Sequence, residues 1–304
     1  MNTSVLVLGE GRLVHSVTAC LLRGGHSVTM VHDPPQKATT LVQQHIRTSD
    51  ALLPSPIQPG NLEVFASPTS LNRSFSLVIL VTKDLVEEKL NAIASIEPLL
   101  NPDAIVAVNM ESITLQELQP HVQAPERVIG LNWVEPAHTS FFLEIIGNVK
   151  TDKKVMEEID RLGKSWGKDP YTIEVGFSVR ARLHAALTRE ALFLVRSGYA
   201  DFEDIDRNCR NDAGYYLPFT GNMRYMDLMG TSAYGIVMKD LNPSLSKQQA
   251  LDDETIKLAQ SYPLGMRSGK GFFEYSPEEV EEWERKMETF SYQIHHLMKK
   301  YPFE

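Results

Sequence analysis

At 304 residues, 42% of them hydrophobic, the chain is long enough for two domains, each with its own core. A net charge of −9 argues against a general nucleic-acid or anionic-membrane surface, since those use basic stripes. The two cysteines, Cys20 and Cys209, lie far apart and outside any metal-type spacing, which argues against a disulfide framework or a metal site and for a reducing compartment.

Met1-Asn2-Thr3 leads straight into SVLVLGEG, with no basic stretch ahead of it, so the start reads as a first strand and not a signal peptide. No apolar run is long enough to span a membrane, and a cytoplasmic location is the expectation. Short β-rich runs follow: VLVLG (5–9), SVTMV (27–31), LEVFA (62–66), LVILVT (77–82), AIVAV (104–108), RVIGL (127–131) and FLEII (142–146). Runs that are apolar throughout predict strands buried on both faces of a parallel sheet. Residues 12–23 and 84–99 have helical periodicity, and strand–helix alternation of this kind predicts a doubly wound α/β domain. Between the second and third strands, Pro34-Pro35, Pro54, Pro56 and Pro59-Gly60 leave room for one helix near 36–48 and then a Pro-interrupted loop.

Gly9-Glu10-Gly11 follows the first strand and opens a helix, the context that gives a glycine-rich loop meaning as a dinucleotide site. Gly9 allows the tight turn, and Gly11 lets a pyrophosphate approach the helix N-terminus. Val14 replaces the third glycine, which implies a wider helix crossing or a shifted loop, and Glu10 must point away from a pyrophosphate. Arg12 can offset Glu10 or contact a phosphate itself. At the end of the second strand stand His32 and Asp33. Asp33 turned toward the ribose favours NAD, whereas His32 facing it makes room for a 2′-phosphate. NAD is the expected cofactor, with NADP as the alternative. The residues expected around it are Gly9, Gly11, Arg12, Leu13, His32, Asp33, Thr82, Lys83 and Asn109. His15, in the first helix, reads as structural.

From about residue 177 the chain changes to long amphipathic helices, among them 181–198, with Gly198 as its C-cap, and 277–300. The latter opens with Pro and acids and closes on Lys299-Lys300, which suits the helix dipole. The expected division is a dinucleotide-binding domain over 1–175 and a helical domain over 176–304.

Three segments carry a family resemblance. GLNWVEPAHTSFFLEII (130–146) resembles a catalytic segment of the 3-hydroxyacyl-CoA dehydrogenase family, keeping Gly130, Pro136, Glu144 and Ile146. Glu190, Gly198, Ala200, Asp204, Ile205, Asp206, Gly214, Gly221, Asp227 and Gly230 stand where that family has matching residues, and Arg267–Tyr275 resembles its closing motif. The resemblance implies a Rossmann-like, mostly parallel sheet followed by an all-helical domain through which the chain pairs as a homodimer. Met223, Tyr225, Met226, Leu228 and Met229 form an apolar run suited to such an interface or to a core.

The same resemblance locates a site in which three positions differ. Asn132 holds the place of the His that takes the substrate proton, and an amide cannot titrate near neutral pH. Glu111 replaces a substrate-binding Ser, Arg180 replaces an Asn, and the resemblance has both face one cleft. A charge-complementary pair there reads either as a remodelled pocket or as an internal salt bridge closing a dead site. Glu144 retains the place of the orienting acid, Asn109 that of an Asn beside the cofactor, and His138 offers an imidazole from the following loop. Lacking a positioned base, the chain is expected to turn over ordinary 3-hydroxyacyl substrates about 10²–10⁴-fold more slowly. The short 34–61 segment, in place of a long helical hairpin, favours a smaller or differently carried substrate than CoA esters. Two function classes follow: an NAD(P)-dependent oxidoreductase acting on a hydroxy or keto acyl-type substrate, and a non-catalytic homologue that binds the nucleotide.

Overall fold

The computed structural model describes residues 4–52 and 60–302. By internal contacts the chain divides into two units, Met1–Ala181 and Arg182–Glu304.

The first unit opens with β1 (Ser4–Gly9), α1 (Arg12–Arg23), β2 (Ser27–Val31) and α2 (Pro35–Leu52). It continues through β3 (Leu62–Phe65), β4 (Phe75–Val81), α3 (Val86–Ile96), β5 (Leu100–Val108) and the short α4 (Leu115–Leu118). β6 (Val128–Asn132), β7 (Phe142–Ile146), α5 (Lys153–Ser165) and β8 (Asp169–Ile173) complete the sheet. Its order is β3-β2-β1-β4-β5-β6-β7-β8. Every neighbouring pair is parallel except β6 and β7, which run antiparallel.

The run of apolar residues in each central strand is explained by helices on both faces. Val5 and Val7, Leu77 and Ile79, Ile105 and Ala107, Ile129 and Leu131 face one core, shared with α1 and α5. The alternating residues Leu6, Val78, Leu80, Val106, Val108 and Val128 face a second, shared with α3. Side chains alternate across a strand, so a strand with two covered faces has no place for polar residues.

The helix expected near 36–48 is longer, and the proline-rich stretch at 53–59 lies outside the described residues. Besides the short α4, two elements of this unit escape the pattern reading. α5 is one, although it is strongly amphipathic, with Val155, Ile159 and Leu162 buried. β8 is the other, because an edge strand exposes most of its length and tolerates Asp169 and Pro170.

The second unit is helical. α6 (Val179–Arg196), which starts in the first unit, leads into α7 (Phe202–Asn211), α8 (Ala213–Met229), α9 (Thr231–Leu241), α10 (Asp253–Ser261) and α11 (Pro277–Lys300). α6 ends before Gly198, whose φ of 73° is the left-handed conformation of a C-cap. α11 is opened by Ser276 and Glu279 in a capping box and closed by Lys299 and Lys300. No described helix is long and apolar enough to cross a membrane.

Candidate active site

The sheet reverses its winding between β1 and β4, and ligands in such folds bind at that switch point, outside the carboxyl ends of the strands. Gly9 lies there beside Val81, so close that a Cβ would fall 2.0 Å from the Val81 carbonyl oxygen. Gly11 has a φ of 82° and open space around it, which leaves room for a ligand over the first turn of α1. Glu10 and Arg12 are exposed, Leu13 is half-buried, and Val14 is fully buried in the first core. The loop therefore fits a dinucleotide pyrophosphate, with Gly9 and Gly11 providing the close approach. His32 is half-buried at the end of β2, its ring 4.9 Å from that of His15, while Asp33 is exposed.

At the ends of β4 and β5, Asn109 brackets Thr82: its Oδ1 accepts from the Thr82 amide (2.9 Å) and its Nδ2 donates to the Thr82 carbonyl (3.0 Å). Beneath this pair is Lys89, which the sequence reading passed over. It is fully buried in α3, donates to Asn109 Oδ1 (3.1 Å) and Thr82 Oγ1 (3.3 Å), and lies 3.6 Å from Asp84. Burial pulls the Lys89 ammonium below its usual value, while Asp84 and Glu111 pull it back up. Asp84 in turn accepts from the amides of Glu111 and Ser112 and from the Ser112 hydroxyl, which fixes the turn after β5. The signal was available: Lys89 interrupts the apolar stripe Val86–Leu90–Ile93 of its helix, where a lysine has to find partners. Lys83 is exposed.

The second cluster comes from strand register. Asn132 in β6 is paired across from Glu144 in β7, and Glu144 from Tyr171 in β8, so three side chains stand in a row on one face. Asn132, buried at 1% exposure, is fully engaged. Its Oδ1 accepts from the Met110 amide (2.7 Å), and its Nδ2 donates to the Met110 carbonyl (2.5 Å) and to Glu144 Oε2 (2.8 Å). Glu144, with no exposure, receives five hydrogen bonds: from Asn132, Tyr171 (2.8 Å), Ser178 (2.6 Å) and the amides of Val179 and Arg180 (each 3.0 Å). Burial alone would raise this carboxyl; the donors, led by Ser178 and the Arg180 amide, outweigh it and hold it below the usual range. The two amides are the first of α6, so Glu144 anchors that helix start to the sheet, where the helix dipole also favours a negative charge. Tyr171 is pushed up by its burial and by the carboxylate to which it donates.

Arg180, its own amide held by Glu144, extends its guanidinium to Glu111: Nη1 lies 2.5 Å from Oε1. The side chains are 21% and 43% exposed, so this pair is open to solvent and is not a sealed internal bridge. The guanidinium also lies over the Phe142 ring at 5.6 Å, and its buried Nε has no hydrogen-bond partner among the described residues.

The structure thus joins Asn132, Glu144, Arg180 and Glu111, and it joins Thr82 to Asn109. His138, offered by the sequence as an imidazole for the site, is buried, with its ring 4.8 Å from His45 of α2. The loop around it is held by buried Lys168, which donates to the carbonyls of Ala137 and Ser140. Loop residues 133–141 carry enough apolar side chains, notably Trp133 and Ala137, to fold inward on the first core. Among the described residues no group of three or more His, Cys, Asp or Glu is arranged to hold a metal ion.

Both parts of the chain match models of one protein family. Residues 4–175 match the model of the 3-hydroxyacyl-CoA dehydrogenase NAD-binding domain, and residues 176–275 match that of the 3-hydroxyacyl-CoA dehydrogenase C-terminal domain. A relative from Mesorhizobium japonicum, 5-formyl-3-hydroxy-2-methylpyridine 4-carboxylate 5-dehydrogenase, is 29% identical over 288 residues, 92% of this chain and 93% of that protein. A solved structure of a 5-dehydrogenase for that pyridine acid, described as an NAD+-dependent dismutase, is similar with a TM-score of 0.90 and 26% identity, covering 98% of this chain and 99% of the other. The structure of (S)-3-hydroxybutyryl-CoA dehydrogenase from Ralstonia eutropha is similar in fold, with a TM-score of 0.68, 20% identity, and coverage of 91% of this chain and 100% of the other.

Proposed function

Because the chain belongs to the 3-hydroxyacyl-CoA dehydrogenase family, with that family's NAD-binding domain, we propose that it is an NAD-dependent oxidoreductase for a small carbonyl or hydroxy substrate bearing a carboxylate. The observation that carries the substrate class is Arg180. A guanidinium has five N–H donors, and here a single hydrogen bond, to Glu111, is recorded among the described residues. Planar donors left open beside an exposed edge suit a substrate carboxylate. The Mesorhizobium japonicum relative, whose substrate is a pyridine carboxylate with a formyl group, supports the same class.

In this reading bound NAD supplies hydride acceptance or donation, and the chain supplies the rest. Gly9, Gly11, Arg12 and Leu13 hold the pyrophosphate, and Thr82, Lys83 and Asn109 line the nicotinamide side with Lys89 keeping that turn rigid. Arg180 orients the substrate. Asn132 and Glu144 act as positioning residues, since the amide is consumed by Met110 and Glu144 and has no proton to move. Glu111 is the carboxylate placed to take or return a proton, and His138 is assigned no step.

The test is NAD+ reduction over a panel of small aldehyde and hydroxy carboxylates, with 3-hydroxybutyryl-CoA as the contrast. Arg180→Met is expected to raise KM for the carboxylate substrates about 100-fold, from the loss of a charge-assisted bidentate contact, and to leave NADH affinity unchanged. Turnover of CoA esters alone, or an unchanged KM in the variant, would overturn the substrate class. One observation favours the non-catalytic reading, the saturated Asn132 amide; NADH binding with no turnover across the panel would decide for it.

We also place a homodimer interface on the helical unit. Tyr215, Met223, Leu228, Met229 and Ile236 are all more than half exposed, more large apolar surface than a monomer leaves uncovered. Light scattering at micromolar concentration is expected to give twice the chain mass, and a monomer would rule the interface out.

A further inference from the structure

The C-terminal helix α11 carries two faces. One holds it to its own unit: Ser291 and Tyr292 are buried, and Glu284 meets Arg267 at 2.6 Å. Beside that face runs an apolar stripe, Trp283, Met287, Phe290, Ile294 and Leu297. All but Ile294, which is half-buried, are about half exposed. The steps along the stripe are four, three, four and three residues, the heptad spacing of a helix that packs on another helix.

The unit around α11 leaves much of its apolar surface uncovered. Among the described hydrophobic residues of Arg182–Glu304, only Leu192 and Tyr292 are buried, whereas a domain of this length ordinarily covers well over half of its surface. The stripe is also continuous with α8. At the end of α11 the Tyr301 ring meets the Phe219 ring edge-on at 5.6 Å, and Phe219, Tyr215 and Met223 are all exposed.

Charge decides what covers the stripe. The first half of α11, residues 277–288, holds six glutamates against Arg285 and Lys286. The second half, 289–300, holds no acid and ends on Lys299 and Lys300. A second copy laid antiparallel sets the acidic half against the basic half twice over, as a two-fold axis requires. A parallel copy sets acid against acid. The register follows from the same charges. With Trp283 on Ile294 and Met287 on Phe290 of the other copy, exposed Glu279 lies beside Lys300 and exposed Lys286 beside the neutral Gln293. Sliding one copy by a heptad would set Lys286 against Lys300.

We infer that α11 pairs antiparallel with α11 of a second copy in this register, and so extends the apolar surface of α8 along the C-terminal helix. This rests on the homodimer reading of the helical unit and names the element and direction that close it. The residues involved lie beyond 176–275, the span matched to the family's C-terminal domain.

The test uses the full chain carrying Cys209→Ser, with buried Cys20 left in place, so that one engineered cysteine takes a spin label. Labels at Thr289, beside the two-fold axis, are expected about 20 Å apart across the dimer, and labels at Lys299 about 35 Å apart, from a rise of about 1.5 Å per residue. Phe290→Glu, at a position more than half exposed in the single chain, should raise the dimer Kd about 100-fold or more with helix content unchanged. Phe290→Leu should leave the Kd within about threefold. Should the glutamate variant lose helix, the label distances decide. The inference fails if Phe290→Glu leaves the Kd unchanged, if the Thr289 labels lie beyond about 40 Å, or if both label pairs are equally close, as a parallel pair would be. Any of these results in a chain that still dimerises sinks this pairing alone, while a wild-type monomer sinks the homodimer with it.

Discussion

Replacing Glu144 with Ala is expected to remove about 4 kcal/mol of folding stability, at the upper end of single-residue effects. Five donors converge on this fully buried carboxylate, and of these the Asn132 amide alone also donates elsewhere, to the Met110 carbonyl. Each buried donor left unsatisfied costs about 1–3 kcal/mol, partly recovered where water enters. Glu144→Gln should cost less, about 2 kcal/mol, because its oxygen can still serve the helix amides of Val179 and Arg180. Its amide nitrogen would then face Ser178, which can turn its hydroxyl, and Asn132, which cannot turn because its oxygen is held by Met110. Urea denaturation measures the losses, and hydrogen exchange at residues 178–181 should quicken as the start of α6 comes away from the sheet. An alanine variant within about 1 kcal/mol of wild type would show that the cluster is not the anchor described.

Acidification should destabilise the protein well before its carboxylates titrate. His15 is held at about 4, by burial and then by His32, His45 and Lys37. His138 is held at about 3, by burial and then by His45, Lys168 and Arg23, and His45 is also lowered by burial and by Arg12. His15 and His138 are neutral in the fold, whereas in the unfolded chain they take up protons near 6.5. The unfolded state therefore binds more protons below that value. Stability is fully present above about pH 6.5 and falls as pH drops toward the folded values. Between pH 7 and pH 5, His15 and His138 should each contribute a loss of about 2 kcal/mol, roughly 4 kcal/mol together. Glu144 and Asp84, whose folded values are also depressed, lose their contribution only at lower pH, from their ordinary values of 4.5 and 3.8 downward. Urea midpoints at pH 7 and pH 5 test this, and His138→Gln should flatten the slope. An unchanged midpoint across that window would count against the buried histidine array.

Periodicity determined much of this molecule. Strands such as VLVLG and AIVAV lie between two helical layers, which is why their apolar runs are unbroken and why they could be located from sequence. The helix 277–300 was legible at both ends because caps and dipole charges are local chemistry. Gly9 and Gly11 marked the loop between β1 and α1 for the same reason: both are required by the backbone within a few residues.

What the sequence did not determine are the relations set by register and burial. The pairing of Asn132 with Glu144 depends on β6 and β7 running antiparallel, and that of Glu144 with Tyr171 on an edge strand too polar to announce itself. Lys89 drew no notice and His138 read as a candidate for the site until helix and loop were packed, since a lone charge or imidazole carries no local mark of where its partners will be. Composition and spacing therefore determined the layers and the glycine loop after β1. The tertiary structure alone decided which polar groups are consumed in holding those layers together, because hydrogen bonds between strands distant in sequence form only after the sheet has ordered them.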